Sequence, residues 1–451
     1  MGTALATDNA ALAARLDRLP VATRTHRRLA WLLGYFFLFD LFDLSAFGYT
    51  APAIRAHWKL TLGEVGLATS VAFLGMLFGA VLGGRASDRW GRKPVLIAAA
   101  VGYSLCSLLT GLAPNFAMLV AGRLLTGMGL QAMTGVLLVV VSEMFPSHLR
   151  GRYQSVLLAI GISGVPVSAF VAWLVIPTGA EAWRWVYVIG SLGIVGVFFA
   201  VRFMPESPRW QAMHGRGERA RGLVERLEAE AVRRTGEPLA EPVLRPVAPP
   251  GRVRELATAR YLKRTVVASI AMILLILSVY GFNSWVATLL VERGHSQSQA
   301  LTIAIVLAAG SVPGALAPYP VVDRYERKTL ILVLAVIAAA SVLTFGLVRQ
   351  NVVMVAGGFL FTMAVQAIVA VLYTYLPEIY PTQLRVVGSG ITNGLGRVAG
   401  IAGAFMVTAV FTAFGFTAVF VYLSGTVLLL GIVLAVAGEH TTNRALEEIS
   451  R

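Results

Sequence analysis

Apolar runs of membrane-spanning length recur along this chain and restrict the folds that are open to it. A helix needs about 20 mainly apolar residues to cross the hydrocarbon core of a bilayer. Of the 451 residues, 57% are hydrophobic and 14% are charged, whereas ordinary soluble domains are about 25% charged. We predict an all-α membrane protein with twelve transmembrane helices. Their expected spans are 28–52, 63–84, 94–113, 116–142, 154–177, 184–204, 266–290, 299–322, 329–348, 352–376, 386–411 and 417–437.

The distribution of basic residues predicts the orientation of the spans. The formal net charge is +15, a value that also suits nucleic-acid binding. Here, however, arginine and lysine are concentrated in the N-terminal tail and in alternate connections, such as 85–93, 150–152 and 324–328. By the positive-inside rule these connections face the cytoplasm. We therefore expect a cell (inner) membrane protein with both termini cytoplasmic, in contact with anionic lipid rather than nucleic acid.

Two polar motifs occur twice at the same separation. GRASDRWGRK at 84–93 recurs in weakened form as PVVDRYERK at 320–328, and EMFPSHLR at 143–150 recurs as EIYPTQLR at 378–385. The separations 323 minus 88, 378 minus 143 and 385 minus 150 all equal 235. One common offset indicates an internal duplication. We predict two homologous six-helix bundles, an arrangement that places a substrate site between halves that alternate access.

A long polar segment divides the two halves. The expected organisation is a cytoplasmic N-terminal tail (1–27), an N-terminal bundle (28–204), a cytoplasmic central loop (205–264), a C-terminal bundle (265–438) and a cytoplasmic C-terminal tail (439–451). Acidic and basic residues at helical spacing predict one or two surface helices in the central loop. The N-terminal tail is expected to be a solvated amphipathic segment without a specific binding role.

Two carboxylates, Asp40 and Asp43, interrupt the first apolar run. A carboxylate at the centre of a membrane helix costs about 2.5–3.5 kcal/mol on insertion scales, so such residues indicate a functional site. The evident partner is Arg123 in the fourth run, because a buried carboxylate that exchanges an arginine partner can bind and release a proton. A permanent ion pair that only fixes helix packing and a site for a cationic substrate are the alternatives.

The charged residues of the two halves do not correspond. The positions 235 residues after Asp40, Asp43 and Arg123 hold the following non-ionisable residues: Leu275, Ser278 and Gly358. Conversely, Arg397 in the second half corresponds to Ile162 in the first half. A guanidinium at membrane depth needs an anion, and it matches a carboxylate in a planar bidentate geometry. Two interpretations remain open: Arg397 binds the carboxylate of an organic-anion substrate, or it bonds helix carbonyls or a neighbouring glutamate.

Further polar and aromatic side chains lie in the apolar runs. A cavity with stacking surfaces and a few polar groups suits an aromatic substrate. Ordinary helix packing or an interfacial aromatic belt is the alternative for each of these side chains. The candidate substrate-binding residues besides Arg397 are Gln131, Tyr280, Asn283, Trp285, Gln366, Tyr373 and Asn393.

The duplicated polar motifs predict a latch at the cytoplasmic ends of the helices. We expect Asp88 to lie near the N-terminus of a later helix and to pair with Arg150 or Arg152, and Arg92 to pair with Glu143. Such contacts would hold the halves in an outward-open state, whereas screened surface charges would contribute less than about 1 kcal/mol each. The predicted latch consists of Gly84, Asp88, Arg89, Gly91, Arg92, Glu143 and Arg150, with Asp323, Arg327, Glu378 and Arg385 in the second copy.

These motifs together resemble those of the major facilitator superfamily over nearly the whole chain. PESPRW at 205–210 is similar to the sugar-porter branch, and FDLFD at 39–43 and LYTYLPEIYP at 372–381 resemble bacterial niacin-type transporters, which are akin to the organic-ion and synaptic vesicle glycoprotein 2 groups. The resemblance implies that Asp43 and Arg123 match the proton-coupling pair of sugar porters. It also implies a glutamate just beyond Gly129, where this chain reads Leu-Gln-Ala-Met, so the resemblance leaves the substrate open.

We therefore predict a secondary active transporter that moves a small organic acid, for example a nicotinate- or benzoate-like aromatic monocarboxylate, together with a proton. A sugar, polyol or organic-cation transporter of the same fold and a non-transporting membrane sensor are the alternatives. The chain has no P-loop, so an ion or substrate gradient must drive transport. A single cysteine, Cys106, and histidines without metal-ligand spacing predict neither a metal nor a cofactor. We expect a monomeric, non-enzymatic protein whose partners are the substrate, protons and the bilayer.

Overall fold

The computed structural model describes residues 11–243, 255–256, 258–322, 324–381 and 384–441. Within these ranges, twelve helices are long and apolar enough to cross a membrane, by length and composition, which confirms the predicted all-α architecture. The first half contains α1 (residues 11–17), α2 (Arg24–Trp58), α3 (Leu62–Trp90), α4 (Arg92–Gly111), α5 (Phe116–Met144), α6 (Ser147–Ile162), α7 (Gly164–Val175), α8 (Trp183–Gly190) and α9 (Ile194–Phe203). The connecting helices are α10 (Pro208–Met213) and α11 (Gly217–Thr235). The second half contains α12 (Ala259–Asn283), α13 (Val286–Glu292), α14 (Gln297–Ala309), α15 (Ser311–Leu316), α16 (Arg327–Leu347), α17 (Asn351–Glu378), α18 (Arg385–Phe414) and α19 (Phe416–Ala437).

Some spans consist of two consecutive helices. The fifth span continues from α6 into α7 across Ser163, and the eighth continues from α14 into α15 across Gly310. The eighth span is also shorter than its apolar pattern predicts, because α15 ends at Leu316 and not near residue 322. Pro318 and Pro320 follow directly, and proline lacks the N–H group that would continue a helix.

The internal duplication is visible in the helix boundaries. The helix α4 begins at Arg92 and α16 begins at Arg327, while α5 begins at Phe116 and α17 begins at Asn351. Both differences, 327 minus 92 and 351 minus 116, equal the offset of 235 found between the motifs. The second half therefore repeats the start points of these helices as well as the polar motifs between them.

The helices α2–α9 form one bundle and α12–α19 form the other. We call the end of the molecule where α2, α4, α6 and α16 begin the basic face, and the other end the opposite face. The bundles meet through α2 and α13, α3 and α18, and α7 and α14. Gly48 on α2 has no room for a side chain there, because a Cβ atom would lie 2.7 Å from the carbonyl oxygen of Asn283.

Polar contacts join the bundles between the middle of the molecule and the opposite face. Arg55 on α2 forms an ion pair with Glu292 on α13. The indole nitrogen of Trp173 donates a hydrogen bond to the hydroxyl of Thr302 over 3.1 Å. The hydroxyl of Ser70 donates to the carbonyl oxygen of Ile401 over 2.7 Å. The described conformation is therefore closed toward the opposite face.

The N-terminal segment is docked, so the prediction of a solvated tail is wrong for residues 11–19. Leu12, Leu16 and Leu19 are 3%, 1% and 0% exposed. They lie in one apolar cluster with residues of α11, including Leu223 and Leu227. Leu12 and Leu16, four residues apart in α1, share one face of the helix, Leu19 follows the helix, and α11 provides the apolar face that covers them.

Candidate functional site

The first-span carboxylate Asp43 contacts its predicted partner. Asp43 is 1% exposed and Arg123 is 3% exposed. The Nη1 atom of Arg123 lies 3.4 Å from Oδ1 of Asp43 and 3.4 Å from its carbonyl oxygen. The guanidinium also lies over the ring of Phe47, 5.2 Å from its centroid, a cation–π contact. The Coulombic attraction is strong in such a buried site, and loss of either partner would leave an uncompensated charge.

A third polar residue, Ser107 on α4, completes the surroundings of Asp43. Its hydroxyl donates a hydrogen bond to Oδ2 of Asp43 and lies 3.2 Å from the carbonyl oxygen of Tyr187. The hydroxyl of Tyr187 in turn lies 2.9 Å from the hydroxyl of Thr50. Both oxygens of the Asp43 carboxylate therefore have partners in this conformation.

The other carboxylate, Asp40, is only half satisfied. Asp40 is 3% exposed, and its Oδ2 atom accepts a hydrogen bond from the hydroxyl of Thr134 over 2.9 Å. The Oδ1 atom is buried and has no hydrogen-bond partner among the described residues. Arg397, from the second bundle, lies within Coulombic range of Asp40, although the two residues form no direct ion pair.

Arg397 is half-buried at the interface between the bundles. Its Nη1 atom lies 3.7 Å from the sulfur of Met76, which is a weak hydrogen-bond acceptor. Tyr280 lies within interaction range of both Arg397 and Asp40. The ring of Phe73 packs edge-on against Tyr280, with the centroids 4.8 Å apart. An arginine, a carboxylate and aromatic surfaces thus meet between the two bundles.

The second bundle has an apolar core where the first bundle has its charge pair. Gly358 occupies the position that corresponds to Arg123, and a Cβ atom there would lie 2.6 Å from the ring of Phe345 and 2.7 Å from Leu307. Phe345 packs against Phe282 with the centroids 5.4 Å apart. The asymmetry predicted from the sequence is therefore accompanied by different packing in the two halves.

Three of the remaining pocket candidates, Tyr373, Asn393 and Trp285, lie in two places. The hydroxyl of Tyr373 donates to Oδ1 of Asn393 over 3.0 Å, and Tyr373 lies within Coulombic range of Tyr280. Trp285 is 1% exposed and lines, together with Tyr280, a cavity of about 10 Å³. That volume is close to the minimum for one water molecule, so this cavity is too small for an organic acid.

The other three pocket candidates differ in their surroundings. Gln131 is half-buried on α5 and its Oε1 atom has no hydrogen-bond partner. It lies three residues before Thr134 and therefore on a neighbouring face of the same helix. Gln366 is half-buried within α17. Asn283 ends α12 and contacts Gly48 through its backbone, so its place is in the contact between the bundles.

The predicted pairing of Arg92 with Glu143 is present, and it recurs in the second half. Nε and Nη2 of Arg92 each lie 2.9 Å from an oxygen of Glu143, which is a bidentate geometry. Arg327 lies 3.2 Å from the carboxylate of Glu378. The duplicated motifs thus form the same ion pair in both bundles.

In the described conformation Asp88 does not contact Arg150, so its pairing with Arg150 or Arg152 in an outward-open state stays a prediction. Asp88 pairs with Arg92 over 3.1 Å, and no ion pair joins it to Arg150. The position at the N-terminus of α4 belongs to Glu206, which accepts hydrogen bonds from the backbone N–H groups of Arg92 and Lys93. Gly91 permits this contact, because a Cβ atom there would lie 2.4 Å from Oε2 of Glu206.

Arg150 contacts the N-terminal segment in the described conformation. Its Nη2 atom lies 3.2 Å from Oδ1 of Asp17, the last residue of α1, and its Nε donates to the carbonyl oxygen of Phe145 over 2.8 Å. Nε and Nη2 of its counterpart Arg385 have no hydrogen-bond partner among the described residues. The two copies of the motif therefore differ at this arginine, because only the first half has a docked N-terminal helix beside it.

The other latch candidates have few contacts. Arg89 is exposed and lies near the ring of Trp90, 5.9 Å from its centroid. A side chain at Gly84 would have open space around it. Asp323 lies outside the described residues. Sequence reasoning did not identify Ser107, Thr134 or Glu206 as partners, because single serine and threonine residues are common in membrane helices and carry no distinguishing pattern.

Comparison with known proteins places this geometry in a family. The family described as "Sugar (and other) transporter" matches residues 30–451. The chain is 34% identical to the putative metabolite transport protein YyaJ of Bacillus subtilis, over 96% of each chain. It is 31% identical to the niacin transporter NiaP of Acinetobacter baylyi, over 97% of this chain and 99% of the relative.

Solved structures show the same fold. The partially occluded, inward-open xylose transporter XylE of E. coli matches with a TM-score of 0.77 at 16% identity, over 93% of this chain and 99% of that chain. The predicted resemblance to the major facilitator superfamily is confirmed by these matches. The chain thus belongs to the sugar (and other) transporter family of that superfamily, and it is an integral inner-membrane transporter rather than an enzyme.

Proposed function

We propose that the protein is a proton-coupled symporter of a small aromatic monocarboxylate. One observation carries the proposal: two buried carboxylates, Asp40 and Asp43, and two arginines, Arg123 and Arg397, lie within and beside the interface of the bundles. Two positive and two negative charges leave this group neutral. A substrate anion adds one negative charge to a site of low dielectric, and one accompanying proton restores neutrality.

The residues have separate parts in this proposal. Arg397 binds the substrate carboxylate, because it is half-buried and, among the described residues, its guanidinium contacts the weak acceptor Met76 and the hydroxyl of Tyr280 but no carboxylate. Tyr280 and Phe73 provide aromatic surface beside it. Asp43, with Arg123 as its partner, takes part in proton coupling during the conformational cycle. The name of the niacin relative supports an aromatic acid as substrate.

The orientation and the conformational cycle belong to the same proposal. The basic face lies in the cytoplasm, with both termini, as the positive-inside rule predicts. The described conformation is then closed toward the outside. Alternating access requires the ion pair between Arg55 and Glu292 to break when the outside opens, while the pairs at the basic face are rearranged.

Uptake by purified protein in liposomes tests the proposal. With an imposed inward proton gradient, we expect accumulation of nicotinate or benzoate above its external concentration, and no accumulation without the gradient. Asp43→Asn should lose accumulation while exchange without a gradient survives, because exchange does not require net proton movement. Accumulation by the Asp43→Asn variant would show that Asp43 is not needed for coupling.

A panel of sugars, acids and amines separates the substrate classes. Thermal shifts of the wild-type protein should be largest with aromatic monocarboxylates, and Arg397→Ala should abolish these shifts. A response to sugars or polyols that Arg397→Ala leaves unchanged would favour the sugar class instead. A response to organic amines that requires Asp40 would favour a cation transporter. Counterflow in liposomes distinguishes all of these from a non-transporting sensor.

A further inference from the structure

Asp40 has an unused acceptor in a buried position. Its Oδ2 atom accepts a hydrogen bond from Thr134 over 2.9 Å, whereas Oδ1 is buried without a partner. A buried charged oxygen that has lost its water and gained no hydrogen bond is costly. A partner supplied in another state of the transport cycle would offset this cost.

The missing partner has to come from the interface between the bundles. Arg397 lies on the second bundle within Coulombic range of Asp40, but no direct ion pair joins the two side chains. Among the described residues, Arg397 contacts the sulfur of Met76 at 3.7 Å and interacts with the hydroxyl of Tyr280, but it pairs with no carboxylate. A small anion between these residues would provide Arg397 with a strong acceptor. The same anion would repel Asp40 in its charged form.

The other groups around Asp40 do not remove this repulsion. Asp43 lies one turn along α2, and both of its oxygens have partners in Arg123 and Ser107. Tyr103 and Tyr280 also interact electrostatically with Asp40, and phenols are neutral at physiological pH. The Oδ1 atom of Asp40 is therefore the one carboxylate oxygen of this pair that is free to take a proton.

We propose that the substrate carboxylate binds between Arg397 and Asp40, and that Asp40 takes up a proton on Oδ1 in the same event. The proton comes from solution and neutralises Asp40. The new O–H group donates a hydrogen bond to one substrate oxygen, while the guanidinium of Arg397 donates to the carboxylate from the other bundle. This inference rests on the proposed function and concerns the binding step, so Asp43 keeps its part in the later conformational change.

Equilibrium binding as a function of pH tests this assignment. Purified wild-type protein is titrated with benzoate and with nicotinate by calorimetry between pH 5 and pH 9. In the range where Asp40 is charged before binding, the affinity should weaken by up to about tenfold for each unit by which the pH rises. Asp40→Asn keeps a neutral donor at this position, so its affinity should be independent of pH and higher than that of the wild type at pH 9. Asp17→Asn, which changes a carboxylate in the N-terminal segment, should keep the wild-type dependence.

A second measurement needs no variant. When benzoate binds to the wild-type protein in weak buffer, at a pH within the range where the affinity falls with rising pH, a pH-sensitive dye should report the uptake of about one proton for each acid bound. No uptake, or a pH dependence that persists in Asp40→Asn and disappears in Asp43→Asn, would overturn the assignment to Asp40. The absence of acid binding at every pH would instead contradict the proposed substrate class.

Discussion

The guanidinium of Arg55 on α2 is ion-paired with the carboxylate of Glu292 on α13, so one charge pair bridges the two bundles at the opposite face. The side chains are 29% and 25% exposed. At that degree of exposure the pair contributes about 1 kcal/mol or less to stability. This is enough to change the ratio of two conformations severalfold without affecting the folding of either bundle.

Glu292→Gln should increase opening at the opposite face. The substitution removes the charge that attracts Arg55 in the closed state. An open state, in which the two residues are apart, loses no ion pair and keeps its stability. We expect a cysteine placed at Thr302, beside Trp173 of the other bundle, to react several times faster with a water-soluble maleimide. Glu181→Gln is the matched control, because Glu181 pairs with Arg184 within one bundle at the same face. Equal labelling in both variants would contradict a bridging role for Glu292.

The docked N-terminal segment should detach at low pH. Burial opposes ionisation of Glu228, but the hydrogen bonds and charges of Arg15 and Arg18 outweigh burial and lower the pKa of its carboxyl group. A lowered folded pKa means that the stabilisation is fully present above the ordinary value of 4.5 and is lost as the pH falls through the lower folded value. Hydrogen exchange of residues 11–19, corrected for its intrinsic pH dependence, should therefore accelerate below pH 4.5.

Two variants separate the charge contribution from the apolar contribution of this segment. Glu228→Gln should remove the pH dependence of exchange in residues 11–19. Leu16→Ala should accelerate exchange at every pH, because Leu16 is 1% exposed and such truncations cost about 2–5 kcal/mol. The exchange of α2 and α5 should stay unchanged in both variants. Uniform acceleration over the whole chain would contradict independent docking.

Gly127 should not tolerate a side chain. It lies on α5 against α3, and a Cβ atom there would lie 2.2 Å from the carbonyl oxygen of Ala72, so the backbones of the two helices would have to separate. Gly127→Ala should lower the melting temperature in detergent by several degrees. Gly135→Ala is the control on the same helix, because a Cβ atom at Gly135 has nothing within 4 Å and alanine favours helix by about 1 kcal/mol. A similar melting temperature for both variants would contradict close packing at Gly127.

The duplicated ion pairs should differ in strength. Arg92 and Glu143 are 7% and 11% exposed and bidentate, whereas Arg327 and Glu378 are 10% and 23% exposed. Breaking a buried pair costs about 3–5 kcal/mol, and the cost falls with exposure. Glu143→Gln should therefore lower the melting temperature more than Glu378→Gln. The reverse order would show that exposure does not determine the contribution of these pairs.

The architecture and several contacts could be predicted from the sequence. Backbone groups within a bilayer must bond internally, so apolar runs of sufficient length can only be helices. A duplication at a constant offset also repeats geometry. The pairing of Arg92 with Glu143 therefore has a counterpart in the pairing of Arg327 with Glu378. The contact of Asp43 with Arg123 was predictable because few charged residues at membrane depth were available as partners.

The choice among several possible partners needed the tertiary structure. Asp88 contacts Arg92 rather than Arg150, because Asp17 of the docked N-terminal segment already occupies Arg150. The sequence determined which helices cross the membrane and which residues are charged within them. Only the structure decided that both oxygens of Asp43 have partners, while Oδ1 of Asp40 is buried without one among the described residues and Arg397 lies within Coulombic range. The physical reason is that hydrogen bonds depend on distances between helices to a fraction of an ångström, and spacing along a chain does not encode those distances.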